Sequence, residues 1–155
     1  MADSLTAPKI LQAPGLVGTG TIAAGIKVMA LRVGFTAGTE VEVDAQDTYQ
    51  LVSIPAGVTV LAVLVRIITA FTTSLTMTIG DGASTAGFLA SADIAPTTAD
   101  TAGIYKSSIS SGEAYAHGKK YLTADTIDAV IAGATPVAGL MEMLVVYLDR
   151  TEGTT

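Results

Sequence analysis

The chain has 155 residues, a formal net charge of −6, and no cysteine, asparagine or tryptophan. Its length fits one domain with a core large enough to fold without staples. The missing cysteine excludes disulfides, a thiolate nucleophile and cysteine-ligated metal, and the acidic balance argues against a nucleic-acid partner held through its phosphates.

Half of the residues are apolar and only 14% are charged, against ~25% in an average domain. The apolar mass is Ala, Val, Leu and Ile, set among Gly and Thr, which suits a β protein with broad packed or assembled surfaces. The start, MADSLTAPKILQAPG, has neither the basic leader nor the apolar stretch of a secretory signal.

Residues 1–26 are poor in charge, lack a useful period and cannot build a core of their own. They read either as a flexible terminus or as an extended arm that orders against a neighbour; low charge favours the arm, with Leu16, Val17, Ile22 and Ile26 as its contacts. From Lys27 strands dominate. Lys27–Thr36 alternates loosely. Glu40–Ala45 places Glu40, Glu42 and Asp44 on one face and Val41 and Val43 on the other, the pattern of a strand with one wet face. Thr48–Ile54 leads into the turn Pro55-Ala56-Gly57.

Val58–Phe71, VTVLAVLVRIITAF, is apolar on both alternating faces, so it has two sides to hide. Fourteen residues at ~3.3 Å each would span about 46 Å, longer than most strands, which predicts a bend, a crossing between sheets or a bulge near Arg66. Pro55, Gly57 and Arg66 interrupt the stretch well short of a membrane span.

Leu75–Ile79 alternates cleanly and ends in the reversal Gly80-Asp81-Gly82. Ser91–Asp100 reads as a Pro-containing loop, Ile104–Ser107 as a short strand, and Gly112–Lys120 as turns. Tyr121–Ala132 is a strand pair or one kinked strand, Gly139–Asp149 a strong final strand, and residues 150–155 a polar tail. Eight to ten strands, no convincing helix and Gly/Pro-dense connections argue for a single all-β sandwich over residues 27–149, jelly-roll-like, with the arm in front of it.

Candidate chemistry is thin. His117, the only histidine, sits in AYAHGKKY and reads as an exposed turn without the partners a triad needs. Gly20 and Gly25 have the outer spacing of a phosphate loop, but Ile26 stands where its lysine must be. Asp81 lies between two glycines without the run of oxygens calcium requires, so it reads as a turn cap. Lys119-Lys120 reads as a solvated turn. No enzyme activity, cofactor or metal is expected.

What remains is contact. Val63, Val65, Arg66 and Glu142 join the arm residues as candidate assembly contacts. Arg66 and Glu142 are charges in apolar strands, and an ion pair between them across neighbouring strands would lower the cost of burying either.

The segments IPAGVTVLAVLVRIITAF, SLTMTIGDGASTAGFLAS and VAGLMEMLVVYLDR resemble, in layout, the small capsid decoration (cement) proteins of tailed bacteriophages, over roughly residues 48–149. The resemblance implies a non-enzymatic virion structural protein on the outer surface of the capsid, bridging capsomers. Its partners would be the major capsid protein and further copies of itself, a homotrimer being favoured over a homodimer, with no nucleic acid and no membrane. The alternative is a phage tail or fibre component that binds a host receptor, against which the scarcity of aromatics counts. A hydrolase on a β-sandwich and a non-viral shell or surface-layer protein come behind these.

Overall fold

The computed structural model describes residues 25–36, 48–71, 74–99, 103, 105–134 and 138–149. Among these residues eight strands make two antiparallel sheets: β1 (Ile26–Thr36), β2 (Thr48–Ile54), β3 (Thr59–Thr69), β4 (Leu75–Gly80), β5 (Lys106–Ser107), β6 (Lys119–Lys120), β7 (Asp125–Gly133) and β8 (Ala138–Leu148). The first sheet runs β1-β8-β3-β5, with β6 also on β3, and the second runs β2-β7-β4. β1 to β4 alternate between the sheets, β7 joins the second and β8 the first, so the fold is the all-β sandwich expected. The strand pattern Glu40–Ala45, the arm residues 1–24 and the tail 150–155 lie outside the described residues.

The inner faces supply the core. Leu31, Val33, Val63, Val65, Ile67, Met141, Met143 and Val145 of the first sheet meet Leu75, Met77, Ile79, Ile127, Ala129 and Ile131 of the second. Fully burying one such side chain is worth roughly 1.5–3 kcal/mol, so this layer holds the sheets together.

The two apolar faces of the third strand now have a cause. β3 carries an extra residue at Leu61, between the pairs Val60↔Tyr147 and Ala62↔Val146, and another at Ile68, between Ile67↔Met141 and Thr69↔Leu140. A bulge shifts the inward phase by one residue. Val58 and Val60 point into the core before the first bulge, and Val63, Val65 and Ile67 after it. The run is apolar throughout because the inward phase changes along it. The second bulge lies two residues beyond Arg66, as the strand's length led us to expect.

Other local expectations shift in detail. Ile26, expected in the arm, is the first residue of β1 and pairs with Leu148. Residues 91–94, expected in a loop, form the one-turn helix α1 (Ser91–Ile94). Asp93 accepts from the Ala90 backbone N–H, and Ile94 is buried. Pro96 then stops the helix, as proline does beyond a helix end. Of the two readings of Tyr121–Ala132, a strand pair is excluded: β7 is one continuous strand that starts at Asp125. Gly139 has no room for a side chain: a Cβ there would lie 2.3 Å from the Phe71 ring, which seals the sandwich where β3 ends.

Candidate assembly surface

The outer faces of the two sheets differ in chemistry. On the second sheet the outward rungs are Thr78–Val130–Thr48 and Thr76–Ala132, with Thr48 and Thr76 exposed. Such a face is comfortable in water. On the first sheet the outward rungs are Val28–Val146–Ala62 and Ala30–Leu144–Leu64. Val28 is 40% exposed and Ala30 is exposed, Leu64, Leu144 and Val146 are half-buried, and Ala62 is buried. Aliphatic surface on one side of the sandwich is thus set against a threonine-rich surface on the other.

The next rung of the same face is charged. Register aligns Arg32, Glu142 and Arg66 across β1, β8 and β3. Arg32 Nε donates to Glu142 Oε2 at 2.6 Å, and Arg66 Nη2 lies 3.6 Å from Glu142 Oε1. The expected Arg66–Glu142 pair is therefore present, with both side chains on one face. Tyr105 lies over the rung: its hydroxyl donates to Glu142 Oε1, and the Arg66 guanidinium sits 5.3 Å from its ring centroid. The hydrogen bond from Tyr105, then that from Arg32, hold the Glu142 carboxyl below the usual carboxylate range against the effect of burial. Arg66 Nε is buried and has no hydrogen-bond partner among the described residues. Two guanidinium groups share one carboxylate, so the rung keeps a positive excess on a chain of net charge −6.

A second polar cluster lies inside the fold and positions the long excursion between β4 and β7. Asp81 is fully buried. Its Oδ1 accepts from the backbone N–H groups of Ala83 and Ser84, both at 3.0 Å, and from the Tyr115 hydroxyl at 3.1 Å. Its Oδ2 accepts from the Tyr121 hydroxyl at 2.9 Å and from the Lys119 ammonium. The ammonium lies 4.3 Å and 4.8 Å from the ring centroids of Tyr115 and Tyr121.

Burial pushes the Asp81 carboxyl up, but the bonds from Lys119, Ser84, Tyr121 and Ala83 outweigh it and hold it low. Burial pulls the Lys119 amine down, and its bonds to Asp81 and Tyr115 leave it raised. Burial, then the bond to Asp81, raises the Tyr121 hydroxyl. Asp81 thus caps its own turn, as the sequence indicates, and also anchors a network the sequence does not show. Lys119 is not the solvated residue expected of the Lys119-Lys120 pair: 20% of its side chain is exposed, while Lys120 is open to solvent.

The sequence-derived contacts fall in three groups. Arg66 and Glu142 are brought together on the outer face. Val63 and Val65 are 0% exposed, inside the core, so neither offers surface to a neighbour. The residues β3 turns outward are Leu64 and Arg66, which the strand's even-numbered phase would have marked had the bulge at Leu61 been legible. Ile26 is part of β1, and Leu16, Val17 and Ile22 lie outside the described residues. His117 lies in an exposed turn. No group of three or more Asp, Glu or His able to hold a metal occurs among the described residues, and no helix among them is long and apolar enough to cross a membrane.

No protein-family model matches the chain, and no curated protein does. Solved structures do. The fold is similar to that of a chain in the capsid asymmetric unit of cyanophage Pam1, with a TM-score of 0.57 and 20% identity over 95% of this chain and 96% of that one. It is also similar to a chain in the acid-stable capsid of Helicobacter pylori bacteriophage KHP30, with a TM-score of 0.55 and 14% identity over 80% of this chain and 89% of that one. The sandwich described above is therefore a fold that phage capsids contain, matched over nearly its whole length.

Proposed function

We propose that this protein is a non-enzymatic structural component of a phage virion, a cement protein that binds the outer surface of the capsid and bridges capsomers. The observation that carries the reading is the end-to-end likeness to a chain of a phage capsid, 95% of one covering 96% of the other, in a molecule whose described residues leave an aliphatic sheet face partly open. The alternation of β1 to β4 between the sheets, with β1 beside β8, is read as a jelly roll. The partners are the major capsid protein and further copies of this chain, a homotrimer in preference to a homodimer.

In this reading the face built from Val28, Ala30, Leu64, Leu144 and Val146 lies against the shell, and the Arg32–Glu142–Arg66 rung at its margin orients the contact. Apolar residues would supply the association energy, and the charged rung its register. The low-charge arm, through Leu16, Val17 and Ile22, ties neighbouring copies together.

The test is a comparison of capsids with and without the protein. Decorated capsids are expected to rupture at a higher temperature than bare ones, and addition of purified protein should restore the difference. Equal rupture temperatures would refute cementing. Localisation to tail or fibre by labelled antibody would favour the alternative.

A further inference from the structure

Two large apolar side chains stand in the open along one lateral edge of the sandwich. Ile109 is 62% exposed and Leu122 79% exposed, the highest values for large apolar residues among those described. β5 and β6 both pair with β3, on the side away from β8. Ile109 lies two residues past the end of β5, and Leu122 two past the end of β6.

Neither residue sits on a loosely held backbone. Ile109 belongs to a single 3-10 turn, Ser108–Ser110, which serines fix in place. Ser108 is fully buried, and its Oγ accepts from the Val63 N–H of β3 at 3.0 Å. Ser107 Oγ accepts from the Ile109 N–H at 3.3 Å, and the Ser111 hydroxyl donates to the Ser108 carbonyl at 2.8 Å.

Leu122 is fixed through its neighbour Tyr121. The Tyr121 N–H donates to the Val58 carbonyl at 2.8 Å, its carbonyl accepts from the Gly57 N–H at 2.7 Å, and its hydroxyl donates to buried Asp81. An apolar side chain held in water on a fixed backbone loses little conformational freedom when a partner covers it.

The same edge carries positive charge. Lys106 of β5 and Lys120 of β6 are exposed. They stand opposite Val65 and Thr59 of β3, a separation of roughly 20 Å along the strand. Lys27, Arg32, Arg66 and Lys119, by contrast, are each ion-paired with a carboxylate of this chain. A two-fold contact of the edge with itself would reverse its direction and set Lys106 of one copy toward Lys120 of the other, like charge against like. A partner that brings carboxylates to the lysines and apolar surface to Ile109 and Leu122 meets no such cost.

We infer that this edge is a second docking surface, and that its occupant is a patch of the capsid shell combining apolar side chains with carboxylates. The inference rests on the bridging reading given above: a bridge must touch two capsomers, and the outer face of the first sheet supplies one contact.

The test measures co-sedimentation of the purified full-length protein with capsids that lack it, and the rupture temperature of the capsids so decorated. Ile109→Ser and Leu122→Ser should each weaken binding about tenfold. Together they should bring the rupture temperature close to that of bare capsids. The Tm of the isolated protein should stay the same, because both side chains are exposed. Lys106→Glu with Lys120→Glu should weaken binding more than Lys106→Gln with Lys120→Gln, and the glutamine pair should flatten the salt dependence of binding. Thr48→Ser, exposed on the second sheet, is the control.

Two results would overturn the inference. One is an Ile109→Ser/Leu122→Ser protein that binds and stabilises capsids as the wild type does. The other is a change in self-association by sedimentation velocity with capsid binding untouched, which would assign the edge to a second copy of the chain. Failure of the wild-type protein to bind capsids is a separate outcome: it removes cementing, and this inference with it.

Discussion

Replacing Lys119 with methionine isolates the buried network around Asp81. The substitution keeps the length of the side chain and removes its charge and its donors. Asp81 is then left fully buried, with two backbone amides and two tyrosine hydroxyls but no counter-charge. Breaking a buried pair by removing one partner costs about 3–5 kcal/mol. Because a fifth of the Lys119 side chain is exposed, the lower end applies, and we expect a loss of about 3 kcal/mol.

In a domain of this size that loss should lower Tm by roughly 6–12 °C. Urea denaturation should show a lower midpoint with an unchanged slope. Lys120→Met, one residue away and exposed, should change stability by under about 0.5 kcal/mol.

The pH dependence follows from the same groups. The Asp81 carboxyl is lowered in the folded state, so its contribution is full above its unfolded value, ~3.9, and is lost as pH falls through the lower folded value. The Lys119 amine is raised, so its contribution is full below its unfolded value, ~10.4, and is lost as pH rises through the folded value. Lys119→Met should therefore flatten both the alkaline loss and the acid loss, because the folded Asp81 value rises toward the unfolded one. If Lys119→Met and Lys120→Met destabilise equally, the network does not hold the excursion to the sandwich, and the argument from burial fails.

Two further substitutions separate core from surface on β3. Val63→Asp places a carboxylate in the apolar layer between the sheets and should leave no cooperative unfolding transition by circular dichroism. Leu64→Asp, its neighbour on the outer face, should fold with a native spectrum while losing capsid binding; a folded Val63→Asp, or full binding by Leu64→Asp, would reverse the assignment of the two faces. Deleting residues 1–24 should leave a folded sandwich, since the later residues described already make a continuous core, and should abolish attachment and self-association. Undiminished attachment measured by co-sedimentation with capsids would exclude a role for the arm.

Much of this molecule is legible in its residues. Alternation in Leu75–Ile79, the proline and glycine of the turn after Ile54, and the aliphatic run of the last strand lie close to the observed elements, because short-range chemistry decides them: period-two patterning buries one face, and Pro and Gly set turn dihedrals. The pairing of Arg66 with Glu142 was also within reach, since two charges in apolar strands are each costly alone. The brief helix at Ser91–Ile94 was not, because four residues carry no period, and their conformation is held by the Asp93 bond to the Ala90 backbone and by burial of Ile94.

The sequence by itself determined the fold class, the lack of cysteine chemistry, and the presence of more aliphatic surface than one small core can use. Tertiary structure decided where that surface faces. One added residue at Leu61 exchanges the inward and outward sets of β3, placing Val63 and Val65 in the core and Leu64 and Arg66 outside. A bulge depends on the partner strand's register, which no local pattern records. The same holds for Asp81: a turn cap needs only its next few residues, whereas its bonds to Tyr115, Lys119 and Tyr121 exist only because the fold closes a stretch of more than thirty residues back onto it.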